Sequence, residues 1–205
     1  NASLDAWECD LEFWSKASVA VLPSFETNVY SGVSPHAETQ ERRALALWQL
    51  ALSQADIVVT TARSLAARTV SPDDIRRLGA VLKRDEDFPL DELVALLVRA
   101  GYVREDPVNG VGQFSVRGGI VDIWPPDAEN PLRVEFFGDT VDSIREFDAE
   151  TQLSTGQLKE MSAAPMREFA ASESDLKDWA FFARERWPGE NLARNLKDRT
   201  DFPAE

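Results

Sequence analysis

The sequence predicts an α/β protein: a parallel strand–helix–strand layer joined to an α+β unit in which an antiparallel β meander packs on one helix. Three observations predict it. Between Gly101 and Asp148, apolar and polar residues alternate in short runs broken at Gly118-Gly119 and Gly138-Asp139, where glycine supplies the positive φ of tight hairpins. Two short apolar runs, 17–22 and 55–61, flank a long apolar helix pattern, the spacing of a parallel crossover. Leu90, Leu93, Val94 and Leu97 keep helical spacing up to Gly101, a residue suited to the left-handed end of a helix. With 205 residues, 43% of them hydrophobic and six of them tryptophan, the chain has material for one large or two small globular cores.

Taken in order, Ser3 is placed to cap a helix over 3–16 in which Leu4, Trp7, Leu11 and Trp14 form an apolar stripe read as core packing. Ala17 to Leu22 is a buried strand ended by Pro23. Ser34-Pro35 is read as an N-cap followed by proline at the first helical position, opening a helix to about Ser53. Its second half, Ala44 to Leu52, is apolar nearly all round and predicts burial on several sides. Ala55 to Thr61 is the second buried strand. A boundary near Thr69 to Asp73 divides a first domain, 1–70, from a second, 71–152. Within the second, Ser71-Pro72-Asp73-Asp74 caps a helical turn and Ala80-Val81-Leu82 is an edge strand. The meander has about four strands, with Phe114, Val116, Leu132, Val134 and Phe136 inward and Ser115, Arg117, Arg133 and Glu135 outward. Residues 153–205 read as a separate segment: 154–164 irregular, 166–169 a short strand or linker. Ser172-Glu173-Ser174-Asp175 is a capping box for a helix bearing Leu176, Trp179, Ala180, Ala183 and Trp187, stopped by Pro188-Gly189, before a loosely packed polar tail.

Charge and rare residues exclude several classes of function. The net charge is −14 and the five lysines are scattered, a poor match to a phosphate backbone, although Arg104, Arg117 and Arg133 can form a local basic patch. His36 is the only histidine and Cys9 the only cysteine. A structural zinc site, a Ser-His-Asp triad and an internal disulfide therefore lack their parts, and His36 reads as a capping or packing residue. No phosphate-binding Gly-x-x-x-x-Gly-Lys-Ser/Thr motif occurs, and no lysine follows a glycine. No apolar run is long enough to span a membrane and no secretory leader is legible, which with the lone cysteine fits a cytoplasmic setting. The start at Asn1 and the end at Glu205 suggest a segment of something longer. The outward arginines have two readings: a solvated strand face with weak Arg–carboxylate pairs, or a protein interface that uses arginine's planar fork.

Several ordered motifs resemble the UvrB-like module of nucleotide excision repair proteins. They are Gly101-Tyr102-Val103-Arg104, Phe114-Ser115-Val116-Arg117-Gly118, Asp122-Ile123-Trp124-Pro125 and Arg133-Val134-Glu135-Phe136-Phe137-Gly138-Asp139. They are similar to that module's second domain. Leu22-Pro23-Ser24-Phe25-Glu26-Thr27, Ser34-Pro35-His36 and Ile57-Val58-Val59-Thr60 resemble its first. UvrB's first domain carries a phosphate-binding loop and a long DNA-engaging hairpin. Here only ten residues separate Pro23 from Ser34, too few for that hairpin, which brings the chain closer to the transcription-repair coupling factor family.

The resemblance implies a partial RecA-like α/β domain with an inserted α+β domain, followed by the start of a return segment to the first domain. It implies a non-catalytic module that recruits UvrA in transcription-coupled repair. Arg104, Arg117, Arg133 and Glu135 would form the contact; no catalytic residue, metal or cofactor site is expected in the segment. Where UvrB has an arginine this chain has Ser115, so one contact is absent. It further implies that RNA polymerase and DNA are bound by regions outside this segment, which in full-length members belong to an ATP-dependent translocase. A C-terminal domain there masks the UvrA-binding surface. The alternative is a fragment of a UvrB-type helicase subunit with nucleotide and DNA binding.

Overall fold

The computed structural model describes residues 3–27, 34–171 and 173–186, and the chain divides after Ala170 into two compact units. The first unit begins with α1 (Leu4–Trp14), β1 (Val19–Leu22), α2 (Ala37–Ala51) and β2 (Ile57–Thr60). β1 and β2 are parallel, Val19 opposite Ile57 through Leu22 opposite Thr60, as the strand–helix–strand spacing predicts. α2 buries Ala44, Ala46, Trp48 and Ala51. Four expectations fail here. Ser3 precedes α1 but its side chain makes no cap hydrogen bond, its backbone being already helical. β2, expected to be buried, is only partly covered and leaves Val58 exposed, because β1 is its one strand neighbour among the described residues. α2 starts at Ala37 with His36 as its N-cap, not Ser34, because the Pro35 carbonyl is taken by the Gln40 side chain at 2.9 Å and the helical ladder opens at the His36 carbonyl. The stripe on α1 is not core: Leu4 is buried, but Trp7 and Trp14 are exposed together with Phe13. The spacing made a stripe, and the short β1–β2 layer covers only its first residue fully.

Two single-turn helices follow, α3 (Ala62–Ala66) and α4 (Pro72–Arg76). Ser71 caps α4 as predicted, its Oγ accepting from the Asp74 N–H at 3.2 Å. β3 (Ala80–Lys83) pairs antiparallel with β10 (Glu160–Ala163) in a two-stranded sheet of its own rather than joining the meander. Gly79, just before β3, is required by close approach: a Cβ there would lie 2.7 Å from the Trp48 ring and 2.8 Å from the Ala163 carbonyl. The Trp48 Nε1–H donates to Ser162 Oγ at 3.0 Å, so one tryptophan ties α2 to β10.

α5 (Leu90–Ala100) ends at Gly101, φ 99°, with the Tyr102 N–H folded back onto the Leu97 carbonyl. Behind it stands a six-stranded sheet in chain order: β4 (Val103–Arg104), β5 (Gln113–Arg117), β6 (Ile120–Ile123), β7 (Leu132–Phe137), β8 (Thr140–Phe147) and β9 (Ser154–Leu158). The β4–β5 pair is parallel and the rest antiparallel. Both glycine turns close two-residue hairpins, Arg117 opposite Ile120 and Phe137 opposite Thr140. Leu93 and Leu97 of α5 pack with Phe114, Val121, Ile123, Val134 and Ile144, and full burial of side chains this size contributes about 1.5–3 kcal/mol each. The predicted helix-on-meander layer is present, with six strands rather than four. Residues 154–164, read as irregular, form β9 and β10: their small residues carry little alternation, and the open edges of β8 and β3 organise them.

In the second unit the described residues form α6 (Glu173–Arg186), on which Leu176 and Trp179 are exposed. The predicted cap Ser172, Trp187, the Pro188-Gly189 stop and the polar tail lie outside the described residues. Among the described residues no helix is long and apolar enough to cross a membrane.

Candidate protein-interaction surface

The face of the meander turned away from α5 is built by register. Ser115 lies opposite Asp122, Asp122 opposite Arg133 and Arg133 opposite Arg145. The next row runs Arg117, Ile120, Glu135, Ser143. Because partners across a sheet share a face, these rows place three arginines and two carboxylates side by side on rigid strands. Asp122 is their centre. Its Oδ2 accepts from Arg117 Nη2 at 2.6 Å and from Arg133 Nη2 at 2.9 Å, and its Oδ1 accepts from Arg133 Nε at 2.6 Å. The Asp122 side chain is only 2% exposed, whereas Arg133 is 19% and Arg117 50% exposed. Arg133 also lies over the Phe147 ring, 4.7 Å from its centroid, and its hydrogen bonds to Asp122 raise its pKa, holding it firmly in the charged form. Glu135 accepts from Arg145 Nη2 at 2.8 Å and Ser143 Oγ at 2.9 Å.

The structure thus brings Arg117, Arg133 and Glu135 onto one face and sets Arg104 apart. Arg104 is exposed on the two-residue edge strand β4, in register with the inward Phe114, and its side chain makes no hydrogen bond or ion pair among the described residues. Ser115 stands on the outward face as expected, opposite Asp122, yet it is buried there, a short side chain beside longer neighbours, with no partner for its Oγ. Sequence reasoning missed two residues. Asp122 was legible in principle: counting back from the Gly118-Gly119 turn puts it opposite Ser115 and between the two arginines. Phe137, the outward member of Phe136-Phe137, is 84% exposed at the end of β7, two residues beyond Glu135.

A second charged cluster is buried. Arg43 of α2, 0% exposed, donates from Nε to Glu168, and from Nη1 to the Pro23 carbonyl at 2.5 Å and Ser64 Oγ at 2.7 Å. It stacks on Phe25 at 4.2 Å. This cluster joins α2, the end of β1, α3 and the segment after β10. His36 and Cys9 are both exposed, and among the described residues no three His, Cys, Asp or Glu side chains are grouped to hold a metal ion.

A stiff sheet that displays pre-paired charges beside an uncovered aromatic side chain has the make-up of a protein-interaction surface. Residues 81–169 match the family model described as the UvrB interaction domain. The chain is 34% identical to the transcription-repair-coupling factor of Myxococcus xanthus over 97% of its own length and 16% of that protein's. It is 38% identical to that of Mycobacterium bovis over 69% of this chain and 12% of the relative. The match to the Escherichia coli protein is 28% identical over 76% of this chain and 14% of the relative. Residues 81–169 are thus similar to UvrB interaction domains, and similarity to transcription-repair-coupling factors covers most of the chain's length. It spans about one sixth or less of the relatives it matches.

Proposed function

We propose that this chain is the UvrA-recruiting module of a transcription-repair coupling factor, a protein-binding rather than catalytic segment that works in the cytoplasm. The observation that carries this reading is the preformed Arg117–Asp122–Arg133 cluster, with Glu135 and Phe137 beside it on the same strand face. Arg117 and Arg133 present guanidinium groups to an acidic partner, Glu135 sets polarity, and Phe137 supplies an apolar anchor of the kind that dominates interface energies. Arg104, set apart on the edge strand in register with the inward Phe114, would meet the partner only around the edge of the sheet. The similarity to coupling factors supports UvrA as the partner over the UvrB-type helicase alternative. In the full-length protein, a masking C-terminal domain would cover the same face, while RNA polymerase and DNA would be held by other regions. The β1–α2–β2 layer would be part of a larger RecA-like domain that needs no nucleotide for this role.

The test is calorimetric titration of purified UvrA into the chain and into Arg117→Glu. Reversing this half-exposed charge is expected to weaken binding by about 2–5 kcal/mol. Unchanged affinity would overturn the assigned surface. Thermal stabilisation by ATP or ADP would favour the helicase alternative.

A further inference from the structure

We infer that Asp122 is the positioning residue of this surface: a buried carboxylate that fixes both arginine forks in their partner-binding orientation before any partner arrives. The inference rests on the UvrA-binding reading and adds to it how the surface is held ready. Asp122 has no access to a partner of its own, since only 2% of its side chain reaches solvent. It sits one strand from each arginine, on the central strand of the three. Its two oxygens accept three short hydrogen bonds, two from Arg133 and one from Arg117. Arg133 is further fixed by the Phe147 ring beneath it and by a long contact, 3.4 Å, to Gln152 Oε1.

The consequences differ for the two arginines. Arg133 meets Asp122 through Nε and Nη2 together, the two-point contact that sets the plane of a guanidinium. Arg117 uses Nη2 alone, and among the described residues its Nε and Nη1 have no other partner. Half of that side chain is open to solvent. Its remaining N–H groups therefore point outward from a fork whose inner edge is anchored. Two arginines on the strands either side of β6 would repel and scatter without the charge between them. With it, each gives up its rotamer freedom at folding rather than at binding.

An opposite role for the same carboxylate makes the inference testable by sign. If Asp122 merely neutralised the arginines, it would compete with an acidic partner, and its removal would tighten binding. If it positions them, its removal loosens two long side chains and weakens binding, by roughly tenfold for two freed arginines.

The experiment measures UvrA affinity in a cycle: the unmodified chain, Asp122→Asn, Arg117→Ala/Arg133→Ala, and all three substitutions together. Positioning predicts that Asp122→Asn weakens binding roughly tenfold on the arginine background and adds nothing once both arginines are gone. Tighter or unchanged binding in Asp122→Asn, or an equal loss on both backgrounds, would overturn it. A measurement on the unmodified chain covers the case in which Asp122→Asn does not fold: the Arg133 Nε–H resonance should be rigid and slow to exchange without any partner. A resonance as mobile as that of a free arginine would overturn the inference. Failure of the UvrA reading itself looks different, since the arginine variants would then bind as well as the unmodified chain while Arg133 remained rigid.

Discussion

Arg43 and Arg117 each meet a buried carboxylate, Glu168 and Asp122, and the two pairs end in opposite environments. Arg43 is fully enclosed, with its fork directed at Glu168, a serine and a carbonyl. Arg117 keeps one N–H on its acid and leaves the rest in water. An enclosed pair cannot recognise anything outside the chain, but removing one partner leaves a stranded charge. A half-open pair adds little to stability, yet its geometry is available to a partner. The same chemistry therefore serves cohesion in one place and display in the other, and the depth of the arginine decides which.

The largest effect expected from this contrast is at Glu168. Glu168→Ala leaves Arg43 charged and enclosed, and should cost about 3–5 kcal/mol of stability in urea denaturation, with no direct effect on partner binding by the folded fraction. A loss below about 1 kcal/mol, the level of an exposed pair, would mean that the enclosed and half-open pairs do not differ. Next comes Phe137→Ala on the display side. It should weaken UvrA binding by about 2–4 kcal/mol if Phe137 is an anchor, while the unfolding free energy stays within about 0.5 kcal/mol of the original because the ring is already in water. Gly79→Ala tests the interior again: the added methyl must displace the Trp48 ring, an overpacking expected to cost about 1–3 kcal/mol.

The smallest effect belongs to an exposed acid. Asp148, in the turn between β8 and β9, accepts from the Thr151 N–H at 2.7 Å and its hydroxyl at 2.8 Å, and these bonds lower its pKa from the ordinary aspartate value. A lowered carboxyl contributes stability above its unfolded pKa and loses it as pH falls through the folded one. An NMR titration of the Asp148 carboxyl carbon should therefore find its midpoint below that of Asp148 in the unfolded chain. A Thr151→Val variant should move the midpoint back up.

How far the sequence could be read depends on whether a feature was local. The two glycine hairpins, the Ser71 cap and the Gly101 helix end all rest on backbone geometry within four or five residues, and all appear where the pattern places them. β9 and β10 were not legible, because Ser154 to Ala163 becomes strand only against β8 and β3. Trp7 and Trp14 follow a correct helical stripe, but a stripe does not state what lies against it. Arg42 and Arg43 are adjacent in the chain and separate by one step of helix rotation. Arg42 reaches out to Asp5 and Glu8, and Arg43 reaches inward to Glu168.

For the candidate site the division is similar. Alternation along β5 and β7 was enough to put Arg117, Arg133 and Glu135 on one face, since a strand turns its side chains by a fixed period. Which acid lies between the arginines, how deeply it is covered and how much of each fork remains open depend on strands brought together across the sheet. By itself the sequence determined the periods, the turns and the residues available to each face. Only the tertiary structure decided which of those charges were enclosed, because burial is a property of neighbours that the chain supplies from 11 positions away at Asp122 and Arg133, and from 125 away at Arg43 and Glu168.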